Sequence, residues 1–419
     1  QRLLLLLTRF ADQVTAFKAT IRDNRAGDDF FYDPRYLNET ARDIVAQPGT
    51  LLIYPFVTDD QLWLLYTAAG DVAGAVPIDV DQLDLGNAVV EIRRRLESPV
   101  SDLDDLHATA QQLYDWLIAP LEPEIAANGI THIVFSQDRV TRYIPMAALW
   151  DNGEYLAERY TLSTILSAEL TDTEDRLSQI SEENPVAAFG LSEPVRDFNA
   201  LPNVETELDA VVRDADSDEL GIFPGHQFLN GAFNRNTLTE NIFGSRILHI
   251  ATHGEFVSGL PEESYLLFGD GQTFSIPDIN SLGSDLRDVH LVVLSACETA
   301  VGGPTADGIE VAGISSYFLA ANRASAVLAS LWQVNDASTS LLMQAFYTNL
   351  ANGMTKGDAL RQAQLTLLNG EFDETQIDNL RRTALIFEPA DNHSTEEDAV
   401  PSLAHPYYWA PFILIGNGL

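Results

Sequence analysis

Two apolar runs between residues 246 and 303 decide how the rest of the chain is interpreted: ILHIATHG, which is Ile247–Gly254, and VHLVVLSAC, which is Val289–Cys297. Short, uninterrupted runs rich in Val, Ile and Leu are typical of parallel strands that are buried on both faces. Catalytic groups in such sheets gather at the carboxyl ends of the strands. His253 lies at the end of the first run, and Cys297, the single cysteine of the chain, follows it by 44 residues at the end of the second.

The residue types at these two ends favour nucleophilic chemistry. A cysteine is a strong nucleophile only as a thiolate, and a nearby imidazole is the usual means of forming one. Free cysteines more often lie inert in a core, but Cys297 is followed by the polar residues Glu298 and Thr299. We therefore predict Cys297 as the nucleophile and His253 as the general base and acid, with His249, inside the strand, as the structural alternative.

These segments resemble the catalytic segments of CHAT domains, which are bacterial relatives of caspases and separases. The resemblance rests on His253-Gly254 and on Ser-Ala-Cys-Glu-Thr at 295–299, and the caspase signature likewise places its His about 50 residues before its Cys. It continues in Asp307-Gly308, in ASLWQVND at 329–336 and in YWAPF at 408–412.

The resemblance implies a fold and an activity. The fold is α/β, a caspase-like three-layer sandwich with a mostly parallel central sheet, preceded by a pseudo-caspase-like half without a dyad. The activity is that of a cysteine endopeptidase that cuts specific protein partners through a thioester acyl-enzyme and is latent until activated. The alternative that stays open is a catalytically silent scaffold that binds peptides or proteins.

The resemblance also implies roles for further residues. The backbone N–H groups of Gly254 and Cys297 would form the oxyanion hole. A substrate strand is implied at Ser330-Leu331-Trp332, by β-augmentation. The first specificity pocket is implied at Ser295 and Asp336. Only Asp336 is acidic, so the carboxylates that would select basic side chains of a substrate are incomplete. A third catalytic member stays open among Glu255, Glu298 and Asp307.

The order of elements, together with what the resemblance implies about repeats and a non-catalytic half, predicts the domain organisation. Residues 1–44 form an N-terminal helical segment, interpreted as the end of a tetratricopeptide repeat array in a longer protein. Residues 45–170 form the non-catalytic half, 171–185 an acidic linker and 186–419 the catalytic half, in which 388–401 is predicted to be a disordered acidic insertion. Strands or hairpins are predicted at 50–68, 186–191, 265–276, 324–331 and 409–415, and helices at 83–98, 103–121, 205–213, 233–243, 309–322, 337–352 and 355–368.

Composition and charge limit the partners. The 419 residues include 62 Asp and Glu against 24 Lys and Arg, a net charge of -38. This charge disfavours nucleic acid and anionic membranes as partners. The resemblance implies a protein substrate, and an activating protein that acts through repeats outside this chain. The apolar run Leu3–Leu7 is too short to span a membrane, and one cysteine does not suggest a disulfide scaffold, so a cytoplasmic location is expected.

Other classes of enzyme lack their motifs here. The sequence contains no dinucleotide-binding glycine motif, no nucleophile elbow, no phosphate-binding Walker loop and no EF-hand pattern. One cysteine cannot build a zinc cluster, so neither a metal nor a cofactor is predicted.

Overall fold

The computed structural model describes residues 41–419 apart from 70–71, 169–170, 172–176, 178–184, 216–217, 219, 258–262, 296–297, 300–304, 306–307, 309–316, 320–323, 375, 378–379 and 381–401. The predicted N-terminal helical segment at 1–44 lies outside the described residues except for 41–44, which are helical, and so do the acidic insertion at 388–401 and most of the 171–185 linker. So does Cys297, and so does most of the helix predicted at 309–322, of which 317–319 are described and helical.

The strands of the described chain are numbered in chain order. They are β1 Thr50–Val57, β2 Leu62–Ala68, β3 Val72–Ile78, β4 His132–Phe135, β5 Trp150–Asp151, β6 Glu154–Tyr155, β7 Thr161–Thr164, β8 Val186–Gly190, β9 Val212–Arg213, β10 Phe223–Leu229, β11 Ile247–Ala251, β12 Gly254–Phe256, β13 Tyr265–Leu267, β14 Thr273–Ser275, β15 Leu291–Leu294, β16 Glu298–Thr299, β17 Ala326–Ser330 and β18 Phe412–Gly416.

The α-helices are numbered in the same way. They are α1 Gln82–Leu96, α2 Leu103–Leu117, α3 Glu122–Ala127, α4 Leu156–Arg159, α5 Asn203–Val211, α6 Arg235–Ile242, α7 Ile276–Leu282, α8 Asp336–Ala351 and α9 Lys356–Asn369. Several begin with a capping side chain that accepts from the first free backbone N–H groups, as Asp81 does for α1 and Asn335 for α8. Within the described ranges, no helix combines the length and the apolar character that crossing a lipid bilayer requires.

One sheet of twelve strands runs through the described chain. Its order is β3-β2-β1-β4-β7-β18-β17-β15-β11-β8-β10-β9, and most neighbours are parallel. The hairpin predicted from residues 50–68 is confirmed as the antiparallel pair β1 and β2. The last strand, β18, does not lie at an edge but enters between β7 and β17, where it is antiparallel to β17.

The sheet is covered on both faces because its strands alternate in the direction of their side chains. In β11, Ile247 and Ala251 join a core formed with α1, α2, α5, α8 and α9, while Leu248 and Ile250 join a second core formed with α6 and α7. The prediction of a layered α/β fold with a mostly parallel sheet is thereby confirmed.

The predicted halves share this sheet. Of its strands, β1 to β4 and β7 belong to residues 45–170, and β8 to β11, β15, β17 and β18 belong to 186–419. Residues 40–419 form one compact unit. The strand β10 was not predicted, because Pro224 and Gly225 interrupt its pattern. Gly225 fits there because a Cβ atom at this position would lie 2.1 Å from the carbonyl oxygen of Val186 on the neighbouring strand.

Candidate active site at the ends of strands β11 and β15

Strands β11 and β15 are parallel neighbours that end together. Their paired residues run from Ile247 and Leu291 to Ile250 and Leu294, and the N–H of Ser295 donates to the carbonyl of Ile250 over 3.0 Å. The chain leading to position 297 therefore leaves the sheet beside the chain leading to His253, at the edge that the sequence predicted.

The two segments pair again after this point. A smaller sheet, of order β14-β13-β12-β16, places Glu255 beside Glu298 and Phe256 beside Thr299 in parallel. Ser295 lies two residues before position 297, and Glu298 lies one residue after it. Ser295 bonds to Ile250, before His253, and Glu298 pairs with Glu255, after His253. Cys297 itself lies outside the described residues.

The imidazole of His253 has a defined orientation. Its Nε2 lies 2.8 Å from the carbonyl oxygen of Asn199, and its ring packs at 4.9 Å, centroid to centroid, on Phe198. A carbonyl only accepts, so Nε2 carries the hydrogen, and in the neutral ring Nδ1 holds the lone pair. Burial lowers the pKa of His253, and the hydrogen bond to Asn199 opposes this to a smaller extent. The ring is therefore suited to take a proton at Nδ1.

Asn199, whose carbonyl is the partner of the His253 imidazole, was not predicted from the sequence. It contributes a backbone carbonyl, which every residue carries, so no side-chain signal could have found it. The loop that contains Asn199 is held at both ends. On the N-terminal side, Oδ1 of Asn230 accepts from the N–H groups of Ser192 and Glu193 at 2.8 and 3.0 Å. On the C-terminal side, Oδ2 of Asp336 accepts from the backbone N–H of Asn203 at 2.6 Å.

The acidic residues considered as a third member are placed differently. The carboxylate of Glu255 accepts from the hydroxyl of Tyr265 at 2.9 Å. Glu298 is in β16 through its backbone, and Asp307 lies outside the described residues. The described partner of the imidazole is thus the Asn199 carbonyl.

His249 belongs to a separate, buried cluster. Its Nδ1 lies 2.9 Å from the hydroxyl of Tyr347 and its Nε2 lies 3.0 Å from Oε1 of Glu207, although this second contact lacks hydrogen-bond alignment. All three side chains are fully buried. His249 therefore connects β11 to helices α5 and α8 and is a structural residue.

Gly254 and Ser295 follow the two strands, β11 and β15, whose ends form the candidate site. Gly254 begins β12 opposite Leu266, directly after His253. Ser295 is 4% exposed, and its hydroxyl has no hydrogen-bond partner in the described part of the chain. A buried hydroxyl without a partner is uncommon and leaves a donor and an acceptor available at the strand end.

Residues 330–332 continue from the end of β17, beside β15. The Ser330 hydroxyl donates to the Trp332 carbonyl, and the N–H of Leu331 donates to the Pro411 carbonyl at 3.0 Å. The Leu331 carbonyl accepts from Arg93 at 2.8 Å. A substrate strand at this position would therefore have to use backbone groups other than those of Leu331.

Asp336 is the first residue of α8 and binds another helix. Besides the backbone N–H of Asn203, it accepts from that residue's side-chain amide at 2.9 Å. Burial raises its pKa to about 6, against the effect of these two hydrogen bonds. Its carboxylate connects the first residues of α8 and α5.

Comparison with known proteins relates this chain to a domain family and to two longer proteins. The CHAT domain model matches residues 107–417. Tetratricopeptide repeat protein 28 of Mus musculus is 25% identical over 366 residues, which cover 73% of this chain and 13% of that protein. The Homo sapiens protein of the same name is 25% identical over 365 residues, with the same shares. The chain thus corresponds to 13% of the length of the curated relatives it matches.

A solved structure shares the fold. The crystal structure of the Saccharomyces cerevisiae separase–securin complex aligns with a TM-score of 0.50 and 10% identity, covering 90% of this chain and 30% of that one. At this identity the likeness concerns the fold alone, and it agrees with the caspase-like architecture predicted from the sequence. Since the family model matches well over half of its residues, the chain belongs to the CHAT domain family.

Proposed function

We propose that this chain is a cysteine endopeptidase that uses Cys297 and His253 as a dyad to cleave protein partners. One observation carries the proposal: the chain on both sides of position 297 pairs with the chain on both sides of His253, whose Nδ1 is left to accept a proton.

The reaction follows from these groups. His253 takes the thiol proton at Nδ1, and the thiolate attacks the carbonyl carbon of the substrate peptide bond. The imidazolium then protonates the leaving amine, so the C–N bond breaks and a thioester remains. A water molecule, deprotonated by the imidazole, releases the acid and restores the thiol. The N–H groups of Gly254 and Cys297 would stabilise the oxyanion, a contribution of about 3 kcal/mol per donor in other enzymes.

Regulation by a protein partner is part of the proposal. The curated relatives are tetratricopeptide repeat proteins, and the matched part is 13% of their length. We propose that repeats outside this chain receive an activating protein, and that the enzyme is latent before this occurs. The net charge of -38 favours basic partners.

The single cysteine allows a test that needs no known substrate. Because the chain has one cysteine, alkylation by iodoacetamide reports on Cys297 alone. We expect the wild-type rate at pH 6.5 to exceed that of the unfolded chain, and His253→Gln to lower it about tenfold or more, since an ordinary thiol with a pKa of about 8.5 is mostly protonated there.

Two histidine variants control for nonspecific effects. His226→Gln changes an exposed residue and His249→Gln changes the buried cluster, and neither should alter the rate per folded molecule. If wild type were alkylated at the rate of an ordinary thiol, and His253→Gln did not change that rate, the result would contradict the dyad. The remaining alternative would then be a catalytically silent binding scaffold. Measuring peptide binding to Cys297→Ser would test that alternative.

A further inference from the structure

A buried arginine of the N-terminal half contacts the segment implied to bind substrate. Arg93 lies on α1, and its side chain is 1% exposed. Its Nη2 donates to the carbonyl of Leu331 at 2.8 Å, and its guanidinium carbon lies 4.9 Å from the centroid of the Trp332 ring. These two residues are 238 and 239 positions further along the chain.

The same guanidinium joins two other segments. Nη1 donates to the carbonyl of Tyr143 at 3.2 Å, in the turn after β4. Nε and Nη2 donate to Oε1 of Glu97 at 3.0 and 2.6 Å. A planar fork can make several such contacts at once, and a charged donor strengthens each hydrogen bond to a carbonyl.

The burial of this charge needs a reason. Removing a guanidinium from water is strongly unfavourable unless its partners compensate. Glu97 is 38% exposed and lies four residues after Arg93, at the C-terminal cap of α1. This ion pair is therefore partly screened and does not by itself require Arg93 to be buried. Among the described residues, burial brings Arg93 into contact with Tyr143, Leu331 and Trp332.

These contacts fix the segment from both sides. The N–H of Leu331 is held by the Pro411 carbonyl, and the indole Nε1 of Trp332 donates to the Tyr407 carbonyl at 3.2 Å. Leu331 and Trp332 are 2% and 3% exposed. Leu331 is therefore a fixed anchor, and the position of the chain after it depends on Arg93.

The anchored segment borders the candidate active site. Ala329 of β17 pairs with Leu294 of β15, so Ser330 and Leu331 follow the end of β17 where Ser295 follows the end of the neighbouring strand β15. A second contact between the halves occurs beyond position 297. Gly308, at φ +59°, lies so close to the Tyr143 turn that a Cβ atom there would be 2.9 Å from Cβ of Arg142.

We propose that Arg93 is a positioning residue that holds Leu331 and Trp332 in the conformation that receives a peptide substrate, so that the N-terminal half takes part in substrate binding. This inference rests on the proposed peptidase function. It assigns the N-terminal half a role that the absence of a dyad does not suggest.

Two reagents on the one cysteine separate positioning from thiol chemistry. Iodoacetamide reads the reactivity of the thiol, whereas a peptidyl chloromethyl ketone also requires the peptide to bind. Arg93→Lys keeps the charge but cannot reach both carbonyls and cover the Trp332 ring. We expect it to lower the peptidyl rate about ten- to a hundredfold relative to the iodoacetamide rate, because small misplacements of a substrate have effects of this size.

Glu97→Gln is the matched control. It removes the charge of the ion-pair partner and retains an acceptor oxygen, so both rates should stay within about twofold of wild type. Equal peptidyl-to-iodoacetamide ratios in Arg93→Lys and wild type would overturn the proposal. Equal losses with both reagents would also overturn it, in favour of a purely structural role.

Hydrogen exchange keeps the test decisive if the peptidyl reagent fails to label wild type. That failure is expected of an enzyme that is latent before activation, and it does not bear on the positioning role. In Arg93→Lys, the backbone amides of residues 331–334 should then exchange at least about tenfold faster, while those of β15 stay protected. Unchanged exchange at 331–334 would overturn the role of Arg93.

Discussion

The Nε2 atom of His253 and the carbonyl oxygen of Asn199 lie 2.8 Å apart, and this hydrogen bond fixes the tautomer of the candidate catalytic imidazole. The carbonyl belongs to a loop that enters α5, and that helix is bound to α8 through Asn203 and Asp336. The orientation of His253 thus depends on residues far from it in the sequence.

Phe198 is expected to control the pKa of His253. Its ring lies against the imidazole, and burial is the largest cause of the lowered pKa. In Phe198→Ala, water reaches the ring, the charged form becomes less costly and the pKa should rise towards the ordinary value of about 6.5. This pKa can be measured by NMR titration of the histidine Cε1–H signals in a Cys297→Ser background.

Phe243→Ala provides the comparison for this variant. Phe243 is 77% exposed, so its removal should leave the His253 titration in place. An unchanged or lower pKa in Phe198→Ala would show that the ring does not desolvate the imidazole.

His132 is expected to make folding sensitive to acid. Burial lowers its pKa from 6.5 to about 4, and its Nε2 lies 3.0 Å from the Ser163 hydroxyl. Because the folded pKa is depressed, the stabilisation is present above pH 6.5 and is lost as the pH falls through about 4; a shift of this size corresponds to ~3 kcal/mol.

The variant His132→Asn isolates this contribution from that of the many carboxylates. The difference in unfolding free energy between wild type and variant, from urea titrations at pH 7.5 to 4, should shrink by ~3 kcal/mol as the pH falls. A difference that is constant over this range would refute the assignment.

Asp336 is expected to lower the folding stability as the pH rises, which is opposite to the effect of His132. Burial raises its pKa from 3.8 to about 6, so its protonated form favours folding below pH 3.8 and this contribution is lost as the pH rises through 6. Asp336→Asn keeps an acceptor for Asn203 without the charge. Its stability relative to wild type should therefore increase between pH 4 and pH 7, by up to ~3 kcal/mol.

Urea titrations of both proteins across this range provide the measurement. Asp102→Asn is a suitable control, because Asp102 is a cap of α2 at an exposed hydrogen bond. If the relative stability of Asp336→Asn decreased with rising pH, the ionised carboxylate would be favourable in its buried position, contrary to this account.

Much of the fold was predictable from local patterns. The strands at Ile247–Ala251 and Leu291–Leu294 are apolar throughout, and helices such as Gln82–Leu96 repeat apolar residues on one face after a capping aspartate. The strand Phe223–Leu229 escaped prediction because Gly225 is selected by the close approach of Val186, a contact that local sequence does not report. The position of Phe412–Gly416 inside the sheet likewise depends on partners more than 80 residues away.

The sequence by itself determined which residue types stand at the strand ends: His253, Ser295 and Cys297 follow apolar runs whose length and composition make them buried parallel strands. Only the tertiary structure decided that the Asn199 carbonyl orients the imidazole and that Arg93 holds Leu331 and Trp332. The physical reason is that side-chain periodicity is a local property of the chain. A backbone carbonyl, in contrast, has no residue identity, and its partner is chosen only when distant segments pack together.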